Sequence, residues 1–228
     1  MNHDLSFEEE EHIDQLKTFW KKYGDLLTGI VLALAASAVG WQWWQHRQQQ
    51  EALQAASLYA TLQGMQQVQQ ISAVNSLADT LIQRYPNSPY TSRGALIAAA
   101  TDGSNLAQTP AQSAAQVATA KKDLQWILDH SKENSIKNLA RLHLAALLLD
   151  QHQAKEALDL LNVDHDKQAT DSYADLYNDL SGDIFLSLGN RQSAISAWQA
   201  ALSELPASSP YRQVVEIKLN AIAGTVKP

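Results

Sequence analysis

No cysteine occurs among the 228 residues. That excludes disulfides and thiolate metal sites. Glycine and proline are sparse, at nine and six, which disfavours a turn-rich β architecture and leaves the abundant Ala, Leu and Gln to favour helix. There is no excess of positive charge: the net charge is −7, and no Lys/Arg cluster follows residue 47, so the chain lacks the electrostatic footprint of a nucleic-acid binder. Catalytic signatures are missing too. The chain has no phosphate-binding loop, no H-E-x-x-H, no G-x-S-x-G and no paired metal-ligand spacing. His143 falls within an apolar helix and reads as a packed or partly exposed side chain and not a ligand, and Asp164-His165-Asp166 reads as a solvated turn. A non-enzymatic protein without a cofactor or metal is the expectation.

The chain has one long apolar run. No charge interrupts Leu26–Gln45, and about 20 apolar residues suffice for a helix to cross a bilayer. Trp20 and Tyr23 stand at one end, Trp41, Trp43 and Trp44 at the other, where amphipathic rings meet lipid headgroups. Lys17, Lys21 and Lys22 precede the run. Only Arg47 follows closely, and the next basic residue is Arg84. Positive charge stays on the cytoplasmic side, so the N-terminus is expected inside and the bulk of the chain outside. Ala36-Ser37-Ala38 resembles a signal-peptidase site. However, the leader is long and carries Glu8–Glu11, and the run continues past Ala38, so the segment is expected to stay as an anchor. Gly29, Ala33 and Ser37 repeat every four residues, as do Ala36 and Gly40. This spacing either reflects the ordinary abundance of small residues in spans or marks a close helix contact, with a membrane partner or a second copy.

Mean hydropathy is only −0.28, which argues for one span followed by a soluble region. Roughly 180 residues remain after the run, enough for one sizeable core. Ala52, Ala55, Leu58, Tyr59, Leu62 and Met65 recur at helical spacing, continuing the membrane helix. Ser76–Tyr85 reads as a second helix, stopped where Pro86 and Pro89 open a loop. Ala95–Ala100 and Lys121–His130 read as helices separated by a long loop over 101–113. The clearest pattern lies at 177–206: Gly182 and Phe185, a Gly189-Asn190 turn, then Ala194, Trp198, Ala201 and Pro206. Small residues in two successive helices, a large ring between them and a closing proline resemble a tetratricopeptide repeat. A weaker copy places Ala145, Leu148, Ala157 and Leu161 at the same positions, with the connection at 163–172. Tyr211–Ala223 reads as a capping helix. The expected architecture is all-α, a single N-terminal transmembrane helix followed by a tetratricopeptide-like helical-hairpin solenoid. Its parts are an acidic cytoplasmic tail at 1–22, an anchor at 23–45 and a periplasmic domain at 46–228. Asp171, Asp175, Asp179 and Asp183 step by four along one helix. They read either as a solvent face or as an acidic face for a basic partner.

The N-terminal features together, namely the Glu run, Phe19-Trp20, Tyr23-Gly24, Gly29 and Gly40-Trp41, resemble the YfgM family, ancillary subunits of the bacterial SecYEG translocon. The resemblance implies a single-pass inner-membrane protein next to the translocon. Such a protein is associated with a membrane-anchored periplasmic chaperone of the PpiD type and assists exported polypeptides. The family supplies no catalytic residues. A scaffold for another cell-envelope assembly complex is the alternative reading.

Overall fold

The structure is a computed structural model that describes residues 5–104, 110–162 and 173–223, without the side chains at 5–20, 22–27, 31, 104, 110, 111 and 223. The chain divides into two units, Met1–Glu51 and Ala52–Pro228. Among the described residues every regular element is a helix, as the composition predicts.

The first helix, α1, runs Leu5–Gln67, built from strong helix formers with no proline before position 86. In the first unit its described apolar side chains, among them Ile30, Leu32, Leu34 and Val39, are all exposed. The expected tail, 1–22, lies mostly outside the described side chains, as do positions 23–27 and 31 of the expected span. Among the described residues no helix is long and apolar enough to cross a membrane.

The second unit continues with α2 (Ile71–Arg84), α3 (Pro89–Ser104), α4 (Pro110–His130), α5 (Asn134–Asp150), α6 (Ala154–Leu161), α7 (Ala174–Ser187), α8 (Arg191–Glu204) and α9 (Pro210–Ala223). Two expectations change here. Pro89 begins α3 instead of opening a loop. Most of the expected loop at 101–113 is helix, because α3 reaches Ser104 and Pro110 begins α4. Both prolines sit at a helix's first position, where a missing N–H costs nothing and the ring's fixed φ fits. Residues 105–109 and the 163–172 connection lie outside the described residues.

Three hairpins turn in the same way. Gln69, His152 and Gly189 have φ of +56°, +62° and +76°. Each stands two residues before the next helix. The following N–H reaches back five residues in all three: Gln70 to Met65 at 3.0 Å, Gln153 to Leu148 at 2.9 Å and Asn190 to Phe185 at 2.8 Å. This is the Schellman helix end, which satisfies orphan carbonyls by a left-handed residue. It puts Met65, Leu148 and Phe185 in register, so the α1–α2 hairpin is a third copy of the turn that sequence spacing alone identified twice. Only one of the three left-handed residues is glycine. Gln69→Gly and His152→Gly are each expected to raise the unfolding free energy by about 1 kcal/mol, since a side chain in the left-handed region costs roughly that much. Urea denaturation of the full chain in mild detergent measures it, and unchanged midpoints would refute the strain.

Packing follows the hairpins. Ala55 and Leu62 of α1, Val74, Ala78 and Leu81 of α2 and Ala98 of α3 form one buried cluster. A larger one joins α3 through α7, including Ala95, Leu124, Ile127, Ala145, Ala157 and Ile184. The third closes the C-terminal end with Ala194, Trp198, Ala201, Leu205 and Val215. Each hairpin leaves an apolar face that the next one covers, as stacked repeats require.

Candidate protein-binding domain

The strongest repeat, α7–α8, is organised around Trp198, which is 1% exposed. Its indole lies flat against Gly182. A Cβ at position 182 would come within 2.6 Å of Trp198 Cδ1 and 2.7 Å of Cε2, and closer still to Nε1. The indole is rigid and boxed in, so only glycine permits this crossing. Trp198 Nε1 donates to the Asp179 carbonyl at 3.2 Å, which satisfies the ring's one polar atom. Ala194 and Ala201 are fully buried beside it, with Phe185 packed on the same cluster. Pro206 is exposed just beyond the end of α8. In the weaker copy Ala145, Leu148, Ala157 and Leu161 are all buried in the central cluster. The Tyr177 hydroxyl donates to the Asn138 carbonyl at 3.0 Å, tying α7 to α5.

Two aspartates of the stripe are engaged inside the fold, by Lys218 of the last helix. Asp179 is 3% exposed. It is neither a solvent face nor a free partner face. Lys218 of α9 donates to Asp179 at 2.8 and 2.9 Å and to Asp183 at 2.7 Å. The Tyr211 hydroxyl also donates to Asp179. Burial pushes Asp183 above the ordinary carboxylate range, with Lys218 opposing. Burial and the hydrogen bond to Asp179 push the Tyr211 phenol far up. Asp175 is half-buried one turn earlier, and Asp171 lies outside the described residues. Asp179 and Asp183 therefore latch the cap helix. Arg212 reinforces it by donating to the carbonyls of Leu202 at 2.8 Å and Leu205 at 3.1 Å, where α8 ends. Arg191 donates to the Ile222 carbonyl at 2.6 Å. The cap still presents Val214, 44% exposed, and Ile217, 62% exposed, on its outer side.

A second polar cluster lies between α2, α3 and α4, and no sequence pattern singles it out. Asp102 is fully buried and Asp123 is 2% exposed. Asn75 Nδ2 donates to both Asp102 oxygens at 3.0 Å. Lys122 pairs with Asp79 at 3.1 Å nearby. An open cavity of about 260 Å³ lies among α3, α4 and α5, floored by Ala99, Ala120, Leu124 and Leu147. His143 stands at its exposed rim, with its imidazole held below its ordinary pKa by the desolvating wall.

In the first unit, Gly29, Ala33, Ser37 and Gly40 are exposed, and Gly29 and Gly40 face open space. The Ser37 hydroxyl donates to the Ala33 carbonyl at 2.8 Å, satisfying itself within the helix. Ala36 and Gly40 share a shallow apolar groove with Leu32, Ala35, Val39 and Trp43. Trp41 and Trp44 pack at 5.3 Å between ring centroids, and the Arg47 guanidinium lies 5.7 Å from the Trp43 ring centroid. Among the described residues no group of three or more His, Asp or Glu side chains converges as a metal site.

Comparison with known proteins agrees with this geometry. The ancillary SecYEG translocon subunit of Neisseria gonorrhoeae is 27% identical over 216 residues, 94% of this chain and 97% of that relative. Proteins of the same name from Buchnera aphidicola of two aphid hosts, Acyrthosiphon pisum and Schizaphis graminum, are 23% and 24% identical over 95 residues. Those matches span 42% of this chain and less than half of each relative. No solved structure matches the chain. The family model of the tetratricopeptide repeat-like domain matches residues 17–224, and the chain belongs to that family.

Proposed function

We propose that this chain is a membrane-tethered protein-binding module of the Sec translocon. Residues 23–45 hold it in the inner membrane with the N-terminus inside, and the repeat domain faces the periplasm. There it acts with a membrane-anchored chaperone of the PpiD type on exported polypeptides. The observation that carries the reading is the near full-length match to a relative named for the SecYEG translocon. The row of exposed apolar side chains from Ile30 to Trp44 supports it, because such a surface needs lipid or a partner to cover it. Tethering suits weak, sequence-tolerant binding, since it raises the effective concentration near the target. The work is binding rather than catalysis, which fits a family built from stacked hairpins.

The test is in-membrane crosslinking and mild-detergent co-purification of the intact chain. A second arm carries residues 26–45 replaced by an unrelated span. Recovery of SecYEG channel subunits with the native chain is expected. Retention of that complex by the replaced span would assign recognition to the repeat domain, and its loss would assign recognition to the membrane helix around Gly29 and Gly40. Recovery of a different envelope complex in place of SecYEG refutes the proposal.

A further inference from the structure

The joint between α2, α3 and α4 contains a feature that stacked repeats do not need. Two carboxylates, Asp102 on α3 and Asp123 on α4, are buried in the joint with α2. Asn75 of α2 gives its amide donors to Asp102. Among the described residues two acceptors then remain buried without a donor: Asp123 Oδ1 and Asn75 Oδ1. A buried carboxylate oxygen with no partner is costly when the group is ionised. The charges acting on Asp123 are Asp79 from α2, Asp102 from α3 and Lys122 from its own helix. Two of these three repel a negative charge. Lys122 is engaged 3.1 Å from Asp79 and largely solvent-exposed, which weakens its compensation. No charged group of α5 is among those acting on Asp123 in the described residues. Two buried acceptors thus lack a donor among the described residues, and a proton on the carboxyl is the smallest group that supplies one.

We propose that the Asp102–Asp123 pair makes the α2–α3–α4 joint a proton-sensitive hinge: packed while the pair holds a proton, loosened when it is lost. The electrostatics point the same way. Burial, with Asp79 and Asp102 adding and Lys122 opposing, pushes Asp123 up to about 7. Burial also raises Asp102, with the Asn75 hydrogen bond opposing. The ordinary carboxylate value of 3.8 holds once the joint is open and solvated. Between about 3.8 and 7 the closed joint therefore binds more protons than the open one. Stability of the joint falls as pH rises through that window and levels off above it. With those two values the opening equilibrium rises about tenfold between pH 6 and pH 8.

Hydrogen exchange with mass spectrometry on the full chain in mild detergent tests this, with rates corrected for intrinsic base catalysis. Peptides of α2, α3 and α4 in the native chain should open about tenfold more at pH 8 than at pH 6. In Asp123→Asn, which keeps the shape and removes the titration, the rise should shrink to less than about twofold. At pH 8 the variant should be the better protected, and the difference between the two chains should be confined to these helices. Equal corrected opening at both pH values in the native chain overturns the proposal. So does a tenfold rise that survives in the variant. If the variant does not fold, selective observation of the native Asp123 carboxyl carbon by NMR decides. A midpoint near 7 supports the hinge. A midpoint near 4, or a signal that moves with millimolar calcium or magnesium and not with pH, refutes it.

Discussion

Trp198→Ala is expected to lower the unfolding free energy by about 3–5 kcal/mol, the range for deleting a fully buried large aromatic. Trp198 is the largest fully buried side chain described in the second unit. Its removal empties the crossing over Gly182 and deletes the Nε1 hydrogen bond to the Asp179 carbonyl. The void cannot collapse easily, because Ala194 and Ala201 on either side are already short. A domain of this size has roughly 5–15 kcal/mol in total, so the variant approaches the threshold of folding. Urea unfolding of the full chain, followed by far-ultraviolet circular dichroism, measures the loss. A decrease under about 1 kcal/mol would show that the C-terminal repeat does not depend on this ring. Leu161→Ala, at the matching place in the weaker repeat, should cost less, about 2–3 kcal/mol, since the leucine is smaller.

Lys218→Met should cost roughly 3 kcal/mol, at the low end of the range for removing one partner of a buried ion pair. The cation serves two carboxylates, Asp179 with 5% of its side chain exposed and Asp183 with 31%. Lys218 itself is 28% exposed, which is why the low end applies. Without it, Asp179 keeps the Tyr211 hydroxyl but loses its only ion-pair partner among the described residues, and the latch on α9 opens. The expected readout is faster hydrogen exchange in α9 and the end of α8, with the first hairpin unchanged. The uncovered face around Trp198 and Val215 should promote association, as it does when a repeat array loses its cap. The double variant Lys218→Met, Asp179→Asn keeps an acceptor for Tyr211 and removes the orphaned charge, so it should regain at least half of the loss. A single variant with a normal midpoint, or a double variant no better than the single, would show that the cap is held by apolar packing alone.

The aspartate stripe shows where reading along the chain stops. Its four-residue period is plain in the sequence, but its partner lies 39 residues further on from Asp179, on another helix. A helical wheel places charges around one axis and says nothing about which neighbour will cover them. A charged face therefore looked like a solvent or partner face until α9 supplied Lys218. Asp102 and Asp123 were invisible for the same reason, since nothing in TDGS or KKDL distinguishes a buried acid from an exposed one. The first hairpin was half visible. Leu62 and Met65 had the right spacing, but the turn at Val68-Gln69-Gln70 has no glycine to announce it. The expected loop at 101–113 rests on its Gly, Ser, Thr and Pro content, yet Gly103 and Ser104 end α3 and Pro110 begins α4; Pro89, a break in sequence terms, likewise begins a helix.

Local order came from the sequence alone: the helix-forming composition, the apolar run with its lysines and tryptophans, and the small–large spacing of Gly182, Ala194 and Trp198. These depend on periodicities of three to four residues, which short-range geometry imposes on any chain. The tertiary structure decided what the charges do. Whether Asp179 meets water or Lys218, and whether Asp123 finds a donor, depends on which helices stack and at what height. That choice is made by burial of apolar faces across dozens of intervening residues, and the cost of an unpaired charge is settled only once water has been excluded.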